Sequence, residues 1–261
     1  MRRPAAPART TRRALAHAAA LRRGAAALAV VALGVVALSV ASPARAARPM
    51  ITDDARLVDP KACQVESWLR VNRGRADELW AIPSCNPTGK LELALGGSLL
   101  RDGSGLSTGN SLAQAKTLFR PLVTNGFGWG LAIGVAHDPA IGTTANLIDN
   151  YYAYVPASLS LADDAVVVHL NLGALHDRQA HDTRGTWGLG TEVRLSGRTQ
   201  FIAETFGESG SRPFGHAGVR VWLIPDRLQA DTTLGLRLGG AAQAERWISV
   251  GLRWLSVPFL P

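Results

Sequence analysis

The sequence predicts a single antiparallel transmembrane β-barrel of about twelve strands, preceded by a cleaved signal peptide. Three observations carry this reading: apolar side chains recur at every other position from Cys63 to Leu255, the connections alternate short and long, and residues 1–46 form a basic, then apolar leader. Successive strand residues point to opposite faces, so a period-two pattern gives each strand one apolar and one polar face. Such strands suit a wall between lipid and a polar lumen.

The leader carries Arg2, Arg3, Arg9, Arg12, Arg13, Arg22 and Arg23, then an apolar stretch from Gly24 to Ala41, then small residues around Ala44 and Ala46. This order predicts export, with cleavage near Ala46 or Ala47. A retained helix is the alternative, since about 18 apolar residues sit at the lower limit for a span. Of the 28 Lys and Arg, eight fall in residues 1–46 with no acid, leaving 20 basic against 20 acidic residues in the remainder. The basic balance belongs to the leader, and no basic run with interleaved aromatics remains, which removes nucleic acid as a partner. No stretch after Ala41 is apolar for long enough to cross a bilayer as a helix, so insertion would be by strands. The expected organisation is therefore residues 1–46 as signal peptide, 47–61 as a periplasmic N-terminal segment positioned to tuck into the lumen, and 62–261 as the barrel.

Cys63 and Cys85 flank a hairpin expected to turn at Asn72–Arg75. Centring that turn on Gly74 sets Cys63 opposite Cys85, Trp68 opposite Trp80, Leu69 opposite Leu79 and Arg70 opposite Glu78, one register for four complementary pairs. Opposed strand residues lie within disulfide reach, and export favours the bridge.

The twelve expected strands cover 63–72, 76–85, 90–100, 112–119, 126–137, 150–159, 164–175, 186–195, 198–206, 214–223, 227–238 and 246–255. In the fifth, Phe127, Trp129, Leu131, Ile133 and Val135 alternate with Gly128, Gly130, Ala132 and Gly134, an apolar face backed by bare backbone. Glycines there read as close-packing positions in the wall, not as a nucleotide loop. In the eleventh, Leu228, Thr232, Leu234 and Leu236 alternate with Arg227, Gln229, Asp231, Thr233 and Arg237. Compact turn chemistry follows the even strands, at Asn86–Gly89, Thr124–Gly126, Leu161–Asp164, Ser196–Gly197 and Pro225–Asp226, whereas 101–110, 137–148 and 177–185 read as longer loops. Both chain ends then fall on the short-turn side. Ser249–Ser256 has the glycine and spaced aromatic of a barrel-assembly signal, although the chain runs on through Val257 to Pro261. A secreted β-sandwich is the rival fold, with every inside and outside assignment reversed. The glycine face of the fifth strand argues against it, because it would leave voids in a packed core.

Arg48-Pro-Met-Ile-Thr-Asp-Asp-Ala55 resembles the Arg-Pro-x-x-Thr-Asp-Asp-Ala opening of a family of bacterial outer-membrane proteins described as transporters associated with the meta-pathway of phenol degradation. Gln64-Val-Glu66 stands where such proteins enter their first strand. The resemblance implies an outer-membrane barrel that moves small hydrophobic or aromatic compounds.

With the apolar faces toward lipid, the lumen receives Glu66, Arg70, Glu78, Glu92, His169, Asn171, Glu192, Arg194, Glu204, Arg220, Arg227, Asp231, Arg237 and Arg253. These leave either a narrow polar pore or a plug of interlocked charges. Arg194, Arg220, Arg237 and Arg253 fall on four late strands and would form a positive strip favouring anions. Trp129, Trp187 and Trp254 fall on the lipid register, while Trp222 and Trp247 fall on the lumenal one. His137, His176 and His181 each precede an aspartate in the expected loops and are weak metal candidates. A lipase-like site would need a serine near His169 and Asn171, and no nucleophile elbow marks one. The expected function is a passive channel for small solutes, neither an enzyme nor a cofactor binder, partnered by outer-membrane lipid and the barrel-assembly machinery. A non-conducting structural or surface-interaction barrel is the alternative.

Overall fold

The computed structural model describes residues 50–137, 150–239 and 245–261. The expected leader and most of the expected loop at 137–148 lie outside the described residues. Twelve strands follow in chain order: β1 (Cys63–Asn72), β2 (Asp77–Cys85), β3 (Leu91–Asp102), β4 (Gly105–Arg120), β5 (Phe127–His137), β6 (Asn150–Leu161), β7 (Val166–Asp177), β8 (Asp182–Arg194), β9 (Thr199–Glu208), β10 (Phe214–Ile224), β11 (Leu228–Arg237) and β12 (Arg246–Leu255). Each pairs antiparallel with its sequence neighbours, and β1 pairs with β12, so the sheet closes and leaves no edge.

The first hairpin has the expected register: Cys63 faces Cys85, Trp68 faces Trp80, Leu69 faces Leu79 and Arg70 faces Glu78. Cys63 and Cys85 are disulfide-bonded, with their α-carbons 4.0 Å apart. Gly74 turns this hairpin with a φ of 77°, in the left-handed region where a side chain is strained.

Two expected loops need correcting. Residues 182–185, read as loop, open β8, which pairs with β7 out to Asp177 and Asp182. Residues 105–110, read as loop, belong to β4, which pairs with β3 out to Asp102 and Gly105. Asp102 accepts the backbone N–H of Ser104, so two residues suffice for the turn and the hairpin extends beyond the apolar part of the strand. The polar run Ser107-Thr-Gly-Asn-Ser111 hid this, because its faces do not differ in hydropathy.

The wall is apolar outward and polar inward. Leu69, Leu95, Ile133, Leu172, Leu189, Leu234 and Val250 are exposed, while the alternate positions are buried, Glu66, Glu92, His169, Glu192, Arg220 and Arg253 among them. Trp129 and Trp254 are exposed near the chain-end rim, the placement of an interfacial aromatic girdle, whereas Trp187 lies mid-wall, paired with Leu172 of β7. The glycine face of β5 turns inward, as a close-packing surface. A Cβ on Gly134 would stand 2.3 Å from the Tyr152 ring, which leans across it from β6.

Residues beyond β12 fold back. The N–H groups of Phe259 and Leu260 donate to the Lys61 carbonyl, and Ser256 N–H donates to that of Cys63. The C-terminal tail thereby braces the point where the chain enters β1.

Candidate functional site

The lumen is occupied by the chain itself. Residues 50–62 run inside the barrel before β1 begins, touching strands far apart around the wall. Glu204 on β9 accepts both the Ile51 and the Thr52 backbone N–H at 2.7 Å. Lys116 on β4 donates to Asp53 at 2.8 Å, and the Tyr154 hydroxyl on β6 donates to the other Asp53 oxygen at 2.8 Å. Ala55 donates to Ser158 on β6 at 2.9 Å and accepts from Leu122 at 3.1 Å; Val58 donates to Glu92 on β3 at 2.7 Å. An extended segment without a strand partner must satisfy its amides elsewhere, and here the wall's side chains supply the acceptors.

The wall leaves room for this segment where it lacks side chains. A Cβ on Gly188 would meet Thr52 Oγ1 at 2.5 Å, and one on Gly190 would meet the Met50 methyl at 2.6 Å. Near the chain-end rim, Val58, Ala62 and Leu255 form a small apolar floor against which Trp222 packs. Burial raises the Asp59 carboxyl above its usual range, against the pull of Arg227.

The segment divides the interior. A cavity of about 320 Å³ lies against residues 50–53, and a cleft of about 840 Å³ opens on the chain-end side against residues 55–60. No residue lines both. Asp54 and Ala55, at the divide, are wholly buried.

Of the charged residues assigned to the lumen from sequence, Glu66, Glu92, Glu192, Glu204, Arg220, Asp231 and Arg253 are buried, and several are interlocked. Arg253 donates to Gln64 and Gln229 and stands 3.5 Å from Glu66. Arg220 donates to Glu192 at 2.8 Å, and Glu192 also has Arg56 and His169 at 3.8 Å. Arg227 donates to the Ser256 carbonyl. Asp231 is buried in the wall beside Gly251. Two assignments require correction. Arg194 is exposed at the end of β8, where it donates to the Asp163 carbonyl in the neighbouring turn. The positive strip of Arg194, Arg220, Arg237 and Arg253 does not form, because Glu192, Glu245 and Glu66 stand against the last three. Buried guanidinium groups at this depth require such partners.

His169 bonds through Nδ1 to Ser158 at 2.8 Å, whereas Asn171 faces the backbone of Asp53. Ser158, His169 and Glu192 thus form a string with a hydrolase's residue types. All three are buried, and the Ala55 N–H sits on Ser158 Oγ where a substrate carbonyl would approach. The string locks the segment to the wall. Of the histidine candidates, His176 bonds to Thr183, His181 lies in the turn after it, and His137 ends β5; among the described residues no group of His, Cys, Asp and Glu is arranged to hold a metal.

Sequence reasoning missed Lys116, the single charge between Gly105 and Phe119, which a strand extended to Gly105 would have flagged. It placed Trp247 on the lumenal register but did not assemble the aromatic wall to which it belongs. Trp68 stacks on Trp80 at 5.2 Å, Phe206 on Phe214 at 5.5 Å, and Trp247 meets Phe214 edge-on at 5.7 Å. Arg70 lies over the Trp247 ring and Arg237 over Phe214, each at 4.1 Å. The shared parity of Trp68, Glu66 and Arg70 was the available signal.

A closed antiparallel sheet with a lipid-suited exterior and an ionic interior defines a transmembrane β-barrel of the outer-membrane type. Among solved structures, the chain is similar to the KdgM porin (TM-score 0.55, 9% identity, covering 73% of this chain and 98% of that one). It is similar also to the NanC porin (TM-score 0.54, 8% identity, 73% and 98%). A second KdgM structure, in complex with disordered oligogalacturonate, matches with TM-score 0.54 at 10% identity over the same shares. At these identities the likeness concerns the fold. The chain belongs to the family described as "Uncharacterised conserved protein UCP029691", whose model matches residues 34–254. No curated protein matches it.

Proposed function

We propose that the protein is a passive outer-membrane channel for small solutes whose lumen is closed by its own N-terminal segment. The carrying observation is the pair of chambers separated at Asp54 and Ala55 inside an otherwise continuous barrel. A structural barrel has no need of an internal cavity of this size, and an enzyme needs its reactive groups accessible. On the usual orientation of such barrels, the chain ends face the periplasm and the cavity beside residues 50–53 opens outward. Residues 1–46 then serve as the cleaved export signal, and the last strand is read by the barrel-assembly machinery.

For the solute, the Arg48–Ala55 motif supports small hydrophobic or aromatic compounds of the kind linked to the phenol meta-pathway, and the aromatic side chains on the lumenal face accord with this. Planar-bilayer recording together with liposome swelling tests the channel reading. Low but resolvable conductance is expected from the whole protein, with a large increase when residues 50–59 are deleted. Absence of conductance in both would sink it and leave the second reading, a non-conducting barrel, which the dense bonding of residues 51–58 to the wall favours.

A further inference from the structure

We propose that a recess of the lumen separate from the 320 Å³ cavity contains a binding site for a ring-bearing carboxylate, built on Arg70 and Trp247. The inference rests on the channel reading in one respect, that solute reaches the lumen from outside.

Arg70 is unlike the other lumenal arginines. Arg220, Arg237 and Arg253 each donate to an acid or amide oxygen at 2.5–3.1 Å. Arg70 makes no hydrogen bond through its guanidinium among the described residues, and its Nε is buried without a partner. Its acid neighbour, Glu78, stands 3.8 Å away, beyond hydrogen-bond reach. Glu78 is itself held elsewhere, accepting from Asn72 at 2.8 Å and from the Trp80 indole at 2.7 Å. Glu66, four residues deeper on β1, faces Arg253. A guanidinium presents five donors in a fixed fork that matches a carboxylate.

The position of this fork is fixed. Its carbon lies 4.1 Å above the Trp247 ring, which is buried and wedged edge-on against Phe214 and His216. A quarter of the Arg70 side chain remains exposed, and with Trp68, His216 and Trp247 it lines a recess of about 40 Å³. The stacked Trp68 and Trp80 rings flank it on the same face of β1 and β2. A charged fork beside ring faces recognises an anionic group carried on a ring, whether an aromatic acid or a sugar acid. The carboxylate would take the open donors of Arg70 while its ring lies along the indoles.

Calorimetry on the refolded protein in detergent, with benzoate, galacturonate and neutral benzyl alcohol as probes, tests this. Benzoate or galacturonate should bind while benzyl alcohol binds at least about tenfold more weakly, the loss expected for one charge-assisted contact. The acid that binds better identifies the source of the ring. Arg70→Met should abolish this preference and Arg70→Lys restore part of it, with heat-modifiable gel mobility confirming each variant's fold. If Arg70→Met does not fold, the wild-type comparison decides alone. Equal binding of benzoate, galacturonate and benzyl alcohol, no binding of either acid, or retention of the preference in a folded Arg70→Met overturns the site. Swelling assays separate the two readings: acid binding without flux keeps the site and removes the channel, while flux without acid binding removes the site and keeps the channel.

Discussion

Lys116 is buried in the wall of β4 with its ammonium 2.8 Å from Asp53 of the threaded segment. Asp54 lies 3.5 Å from the same nitrogen and is wholly buried, with Arg56 3.4 Å from its other oxygen, so Lys116 is the cation that both carboxylates share. Removing one member of such a group leaves charge uncompensated at a cost of about 3–5 kcal/mol, more than the remaining contacts at this point easily offset. Lys116→Met should therefore expel residues 50–55 from the lumen while the strand ladder persists. Raised single-channel conductance with unchanged heat-modifiable mobility is the expected pair of results.

Glu204 makes a different hold on the segment, through backbone N–H groups. Glu204→Gln keeps one acceptor oxygen where two are now used. It should loosen Ile51 and Thr52 and raise open probability less than Lys116→Met does, a ranking that bilayer recordings of both variants would check.

Shape alone should act the same way. Gly188→Val places side-chain carbons where Thr52 Oγ1 now lies, with no change in charge. Conductance should rise, and proteases added from the segment's side should cut within residues 50–60 in the variant before they do in the parent.

Leu172 sits midway along β7 and is 57% exposed on the outer face. At the bilayer midplane an arginine there costs about 2–4 kcal/mol. Leu172→Arg should lower folding stability in lipid vesicles by that amount, measured by denaturant titration. Asn171→Arg, one residue away but lumenal, should disturb the Asp53 contact and leave lipid insertion intact.

The fold was legible because lipid imposes a simple rule on each strand. Leu228, Thr232, Leu234 and Leu236 must face outward together, and one error of register would expose Asp231 to hydrocarbon. The first hairpin was fixed by four cross-strand pairs at once. The interior was less legible. Parity placed Glu192 and Arg220 inside without pairing them, because their strands, β8 and β10, are not neighbours and the contact spans β9. The 50–62 segment has no period, so its path was hidden; its bonds run from backbone amides to side chains more than thirty residues away.

The covalent join at Cys63 sets how such a closure would behave in time. Residues 50–62 continue directly into β1 beside the Cys63–Cys85 bridge and the bracing tail. After release the segment stays within a few residues' length of its binding groove, at an effective concentration on the order of millimolar for a short tether. Reclosure is then a first-order event, indifferent to protein density in the membrane. A soluble copy of the same peptide would have to reach that concentration to compete, so opening is set by whatever weakens the groove's grip, not by the supply of a blocker.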